Sequence, residues 1–250
     1  MNNLAVETTR LSRRFGNFIA VDVVSIQVQK GEIFGFLGAN GAGKTTMVRM
    51  LCGLLKPSSG SGTVAGFDIE SQSEEIKRNI GYMSQKFSLY NDLTIAENIE
   101  FYGGIYGLSR SLIAKKKNQI LSDLNLLSWE NSISRDLPPG FKQGLALGTA
   151  MLHDPAILFL DEPTSGVDPA SRRFFWDLIQ QAAARGITIF VTTHFMDEAE
   201  YCNRISIMSA GRIIALDTPE NLKQQYQQSS IQEVFVELVR SQNSIAAHTS

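Results

Sequence analysis

The sequence predicts an α/β protein with a parallel-sheet core, an antiparallel β-subdomain and an α-helical subdomain. Three observations predict it. Gly38-Ala39-Asn40-Gly41-Ala42-Gly43-Lys44-Thr45-Thr46 fits the pattern G-x-x-x-x-G-K-[ST], between the apolar run Ile33-Phe34-Gly35-Phe36-Leu37 and a helically spaced set of Met47, Val48, Met50, Leu51, Leu54 and Leu55. Ala156-Ile157-Leu158-Phe159-Leu160 and Ile187-Thr188-Ile189-Phe190-Val191 are runs of the kind found in strands buried on both faces. Val24, Ile26 and Val28 alternate with Ser25, Gln27 and Gln29, the pattern of a half-buried antiparallel strand.

The remaining elements follow in order. Arg13-Arg14-Phe15-Gly16-Asn17 is expected to be a loop carrying one exposed aromatic, although a lone Phe more often belongs to a core. Lys30-Gly31-Glu32 turns the chain into the strand that precedes the glycine-rich loop. Pro57-Ser58-Ser59-Gly60-Ser61-Gly62 reads as a turn cluster, after which Thr63-Val64-Ala65-Gly66-Phe67 resumes a strand. Ile80-Gly81-Tyr82-Met83-Ser84-Gln85 reads as a short strand ending in a polar residue. From about residue 87 to 152 the pattern is helical. Thr94-Ile95-Ala96-Glu97 has capping-box spacing, Ile95, Ile99, Tyr102 and Tyr106 share one face, and Gly107 stops that helix. A second helix is expected over residues 112–127, with Lys115-Lys116-Lys117 as a solvated face and Trp129 beyond it as packing. Asp154-Pro155 ends the next helix, Asp168-Pro169 opens another and Arg185-Gly186 closes it. Residues 205–208 and 212–216 read as two edge strands joined at Ala210-Gly211, and the tail as an amphipathic helix and a strand.

Composition sets bounds on function. A chain of 250 residues with 43% hydrophobic content can bury the core of one large domain. A net charge of -2 offers no electrostatic case for nucleic acid, so no nucleic-acid partner is expected and any phosphate affinity must be local. Cys52 and Cys202 lack metal-ligand spacing and read as buried thiols of a reducing compartment; no metal site of protein ligands is implied. No signal peptide is evident, and no apolar stretch approaches the ~20 residues that a membrane span needs.

The chemistry is concentrated at strand ends. Glycines in the loop let backbone N–H groups wrap a polyphosphate, Lys44 can reach its β- and γ-phosphates, and the Thr45 hydroxyl can ligate Mg²⁺. Asp161-Glu162 closes a strand at its C-terminal edge, where ligands bind in open α/β sheets. Burying adjacent acids is costly, which argues that they serve a reaction or a metal. The Asp can hold Mg²⁺ through water, and the Glu can polarise an attacking water. Thr192-Thr193-His194 follows another strand, which places His194 well for contact with a γ-phosphate.

Taken together, these stretches resemble the nucleotide-binding domain of ATP-binding-cassette (ABC) transporters from Leu4 to about Lys223. The resemblance implies a P-loop NTPase fold with a RecA-like core, in which residues 1–223 form the ATP-binding domain, residues 87–152 its helical subdomain, and residues 224–250 an extension with no assigned role. It implies further that Phe15 stacks on adenine, that residues 38–46 are the Walker A loop, and that Gln85 is the Q-loop glutamine, which touches Mg²⁺ and faces the membrane subunit. Asp161 matches the Walker B aspartate, Glu162 the catalytic glutamate, Ser165-Gly166-Val167-Asp168 the D-loop, and His194 the switch histidine. ATP and Mg²⁺ are the implied cofactors. Phe87, Leu89 and Tyr90, beside Gln85, are each either core residues or part of the surface that meets the membrane subunit.

Leu160-Asp161-Glu162-Pro163-Thr164-Ser165-Gly166 and Thr192-Thr193-His194-Phe195-Met196-Asp197-Glu198-Ala199-Glu200 look like the drug-export type, which works with separate multi-span membrane subunits. The implied protein is an ATPase on the inner face of the cell membrane that pairs with a second cassette, as a homodimer or a heterodimer. One departure is plain. Where the family signature reads Leu-Ser-Gly-Gly-Gln or Leu-Ser-Gly-Gly-Met, this chain has Leu137-Pro138-Pro139-Gly140-Phe141, and Gly144 replaces a frequent Arg. In the family that signature closes over the γ-phosphate held by the partner's loop, through a serine hydroxyl, backbone N–H groups and the start of the next helix. The competing readings are a soluble ABC ATPase of the translation or ribosome-associated kind, and a regulatory module that binds ATP without turning it over.

Overall fold

The computed structural model describes residues 3–85 and 89–248, with side chains through Ser241. The chain opens with a long hairpin, β1 (Leu4–Phe15) and β2 (Phe18–Gln29), and β3 (Ile33–Leu37) then leads through the glycine-rich loop into α1 (Lys44–Leu51). β4 (Ser59–Val64), β5 (Phe67–Asp68), α2 (Ser73–Asn79) and β6 (Ile80–Met83) follow. The helical insertion holds α3 (Ile95–Ile105), α4 (Arg110–Asp123) and α5 (Pro139–Ala150). The chain returns through β7 (Ile157–Asp161), α6 (Pro169–Ala184), β8 (Thr188–Thr193), β9 (Arg204–Ser209) and β10 (Arg212–Asp217), and ends in α7 (Pro219–Gln225) and α8 (Ile231–His248).

Among the described residues the strands form two sheets, an antiparallel one in the order β2-β1-β4-β5 and a larger one in the order β10-β9-β3-β8-β7-β6. The larger sheet is parallel from β9 to β6, with β10 antiparallel at one edge. Alternation along its strands divides the core in two, as period-2 side chains require. Phe34, Phe36, Phe159 and Phe190 face α1 and the antiparallel sheet, while Leu37, Leu158, Leu160, Ile189 and Val191 face the helical side. This arrangement is the α/β architecture predicted, with its antiparallel and helical parts. It delivers the C-terminal ends of β3, β7 and β8 to one edge, since Leu37 pairs with Thr193 and Asp161 with Thr192.

Several local expectations are corrected. Arg13, Arg14 and Phe15 are strand residues paired with Val21, Ile19 and Phe18, and only Gly16-Asn17 forms the turn, because β2 supplies a partner that a reading of residues 13–17 alone cannot show. Residues 59–62 belong to β4 for the same reason, being paired to β1, and the strand expected over 63–67 breaks at the Ala65-Gly66 turn. α4 starts and stops earlier than expected, capped by Ser109 and ended before Asn125, whose φ is 55°. Its lysines are not a free face: Lys116 pairs with Asp154, and Lys117 with both Glu100 and Glu130. Trp129 is 45% exposed rather than packed. Of the two strands expected at the edge, only β10 lies there, β9 lying between it and β3. The tail holds two helices where a helix and a strand were expected, and α8 sinks Ile231, Val234 and Leu238 into the core on the helical side. The capping box at Thr94 is formed in both directions.

Candidate functional site

The loop after β3 is shaped by backbone pressed close against it. A Cβ at Gly38 would lie 2.5 Å from the Met208 carbonyl oxygen, and one at Gly43, where φ is 107°, would run into that of Ala20. α1 then begins at Lys44 with no side-chain cap and no acid in its first turn, which leaves its N-terminal N–H groups and dipole to a ligand. Lys44 is 4% exposed; its ammonium donates to the carbonyls of Gly38 (2.8 Å) and Ala39 (3.2 Å) and lies 3.4 Å from Glu162 Oε1.

Two carboxyl groups meet this loop at the end of β7. Asp161 Oδ1 accepts from the hydroxyls of Thr192 (2.7 Å) and Thr45 (3.1 Å). Glu162 has φ of 50°, a conformation that costs a non-glycine residue on the order of 1–3 kcal/mol and that clusters at functional sites. Its N–H donates to the Thr192 carbonyl and hydroxyl oxygens, which holds the strained turn. Its Oε2 accepts from Gln85 Nε2 at 3.2 Å and lies 3.1 Å from His194 Nδ1. Gln85, Lys44 and His194, from three separate segments, therefore converge on one carboxylate.

A cleft of about 350 Å³ opens over this cluster, lined by residues 40–46, Gln85 and Glu162 on one side and by Phe18 and Ala20 on the other. Phe15 stands outside that lining; its ring is 47% exposed and carries the Arg13 guanidinium 4.6 Å from its centroid. The run Pro138, Pro139, Gly140 and Phe141 does not line the cleft and lies at the start of α5. There Pro138 is the N-cap, Pro139 opens the helix, and Gly140 abuts α6 so closely that a Cβ would sit 2.5 Å from Ser171. Gly144 is equally constrained, since a Cβ would meet Leu124 at 2.7 Å, so a longer side chain cannot replace it without repacking. Asp168 caps α6 by accepting from the N–H groups of Ala170 and Ser171.

Sequence reasoning missed three participants. Thr192 is fully buried and touches both carboxylate residues; the signal was its register opposite Asp161, which needs β7 and β8 to be known as neighbours. Phe18 and Ala20 reach the cleft because β2 crosses the loop, which no local pattern reveals.

Known proteins resemble this chain in sequence and in fold. A family model described as ABC transporter matches residues 21–165. Over 239 residues the chain is 46% identical to the probable multidrug ABC transporter ATP-binding protein YbhF of Escherichia coli K12, covering 94% of this chain and 41% of that protein. The chain thus spans less than half the length of that relative. It is 37% identical over 218 residues to the Nod factor export ATP-binding protein I of Cupriavidus metallidurans, covering 87% of this chain and 72% of that one. Among solved structures, an ATP-binding subunit of an ABC transporter superposes with a TM-score of 0.84 at 27% identity, covering 94% of this chain and 99% of that one. An ATP-binding cassette in its ADP conformation gives 0.81 at 25% identity, covering 94% and 98%.

The two thiols give a direct check on the packing beneath the site. Burial, and then the charge of Asp161, pushes the Cys52 thiol well above its ordinary value of 9.0; burial, and then Glu198, raises Cys202. Folding thus favours the protonated thiols. The stabilisation this gives is fully present below the unfolded pKa and is lost as pH rises above about 9. Iodoacetamide at pH 8 should modify neither cysteine in the native protein and both in urea, and the urea midpoint should fall above pH 9. Rapid labelling of either thiol in the folded state, read by mass spectrometry, contradicts the packing.

Proposed function

The chain belongs to the ABC transporter family, and from that membership we propose that it is the ATP-binding, ATP-hydrolysing subunit of an exporter that works with separate membrane subunits. The observation that carries the reading is the convergence of Lys44, Gln85 and His194 on Glu162, beside the Asp161–Thr45 pair, at the mouth of the glycine-rich loop. The loop N–H groups, Thr46 and Lys44 take the polyphosphate. Thr45 and Asp161 place two hard oxygens 3.1 Å apart, a donor set that suits Mg²⁺. When bound, Mg²⁺ supplies charge to the phosphoryl oxygens. Glu162 orients and deprotonates the attacking water, His194 fixes the carboxylate from its Oε2 side and reaches the γ-phosphate, and Gln85 reports the state of Glu162 toward the helical subdomain.

One of these relatives carries export in its name, the Nod factor protein, and the other is named a probable multidrug transporter ATP-binding protein; these names support export here over a soluble factor. No helix of the described residues is long and apolar enough to cross a membrane; on the proposed reading, membrane subunits supply the path. The surface proposed for them lies on the helical subdomain that follows Gln85 in the chain. Tyr90 (51% exposed), Phe101 (41%) and Ile105 (61%) stand out on the helical subdomain, with the Tyr90 and Phe101 rings edge to face at 4.8 Å. Leu89 is buried, and Phe87 lies outside the described residues. The protein then works at the inner face of the cell membrane.

The start of α5 bears on how two cassettes pair. Pro138 has no hydroxyl, and neither Pro138 nor Pro139 has an N–H, so the signature keeps only the N–H groups from Gly140 onward and the helix dipole. A hydrogen bond to a charged group is worth about 1.5 to 3 kcal/mol, so losing one or two weakens ATP-driven closure by an order of magnitude or more. The natural partner is a second cassette with a regular signature, which closes over this chain's intact site; two copies of this chain would form two weak sites.

Three experiments test these readings. Glu162→Gln should bind MgATP with near-normal affinity and hydrolyse it 10² to 10⁴-fold more slowly, the range for a lost general base; near-normal turnover sinks the assignment. Tyr90→Glu and Phe101→Glu should leave the ATPase rate of the isolated chain unchanged and abolish export in cells that carry the membrane subunits; retained export places the docking surface elsewhere. Pro138→Ser/Pro139→Gly should raise the ATPase rate of the chain alone about tenfold or more, whereas a wild-type rate equal to that of the double variant overturns the weak clamp.

A further inference from the structure

His194 is held on one side by Glu162, and its other side leads into a cluster to which nothing above assigns a role. The Phe195 ring lies 4.2 Å from the imidazole, centroid to centroid, at 36°. Over the Phe195 ring, 3.9 Å from its centroid, sits the guanidinium of Arg172, from the first turns of α6. Arg172 Nε is 3.7 Å from Oε1 of Glu198, which is wholly buried, and Glu198 Oε1 in turn accepts from the Thr164 hydroxyl at 2.6 Å. Thr164 is two residues beyond Glu162. The contacts therefore close a ring that runs from Glu162 through Thr164, Glu198, Arg172, Phe195 and His194 back to Glu162.

Two features argue against a merely stabilising ion pair. Arg172 Nε meets Glu198 at ion-pair distance but makes no hydrogen bond to a protein atom, and neither does Glu198 Oε2, so the pair lacks the close, fully hydrogen-bonded geometry that makes a buried ion pair strongly stabilising. The guanidinium also sits over a ring, a contact in which arginine and lysine are not interchangeable, and it is flanked by a second carboxylate, Asp197, at 3.6 Å. Nothing in the hydrolytic step itself requires Arg172, which touches none of the groups that line the cleft.

We infer that Arg172 is a positioning residue for His194: clamped by Glu198, it holds the Phe195 ring, and that ring sets the imidazole against Glu162. The inference rests on the hydrolytic role proposed for His194. Because Arg172 lies one turn past Asp168, it ties the orientation of the imidazole to the start of α6, so a shift of that helix end turns His194 toward or away from the carboxylate.

The test uses the whole chain labelled with ¹³C at its three histidines, the His194 signal being identified by its loss in His194→Ala. Arg172→Gln should shift the His194 ring signal, as the ring current of Phe195 changes, and leave His153 in place; His153 stacks on Tyr106 at 3.8 Å and reports general packing. The same variant should lower single-turnover ATP hydrolysis ten- to a hundredfold with less than a twofold change in MgATP affinity. Arg172→Lys keeps a charge for Glu198 but loses the guanidinium over the Phe195 ring, so its rate should fall below wild type while its fold is retained. The inference is overturned if the His194 signal stays put, if His153 moves with it, or if Arg172→Lys matches wild type in both signal and rate. A wild-type chain that fails to bind MgATP refutes the proposed function instead, and the histidine spectra then still decide whether Arg172 positions His194.

Discussion

Two adjacent carboxyl groups buried at the end of one strand are the constraint on which the rest of this structure depends. Asp161 is 1% exposed and Glu162 7%. Taking such groups out of water is expensive unless hydrogen bonds and charge surround them, and breaking one partner away is worse than never having had the pair. Both strands that flank β7, and β3 beyond β8, contribute to the solution. β8 supplies Thr192 to both residues and His194 just beyond it, β6 leads to Gln85, and β3 leads to the loop that carries Lys44 and Thr45. The strand order β3-β8-β7-β6 is the order in which those partners are needed.

The carboxylates also explain why the loop is built as it is. Lys44 satisfies its own donors on the Gly38 and Ala39 carbonyls while standing 3.4 Å from Glu162, so the cation is held ready without a long side-chain search. Directional contacts from Lys44, Gln85 and His194 leave the Glu162 carboxylate little rotational freedom, the preorganisation that the role proposed for it requires.

How much of this could be read from the sequence depended on whether the signal was local. The glycine-rich loop, the buried strands around Phe36, Phe159 and Phe190, and the capping box at Thr94 carry their information in neighbouring residues, and the structure reproduces them. Elements that depend on a distant partner were misread. Arg13 to Phe15 and Ser59 to Gly62 become strand only because β1 pairs with β2 and β4, and Lys117 is tethered by acids 17 residues before it and 13 after. The site divides in the same way. Lys44, Thr45, Asp161, Glu162 and His194 stood out as motifs, whereas Thr192, Phe18 and Ala20 acquire their places from strand register and from β2 crossing the loop.

Three chain segments meet behind the loop through main-chain atoms. Gly211, in the β9–β10 turn, donates to the Ala42 carbonyl and accepts from the Asp22 N–H, while the Ala20 carbonyl is pressed against Gly43. Backbone carries no sequence information, so this junction tolerates broad divergence in the side chains around it and fails only where a side chain appears at the points of closest approach. Homologues can therefore drift far in the antiparallel sheet, exchanging its surface for new partners, while the seat of the loop stays the same shape.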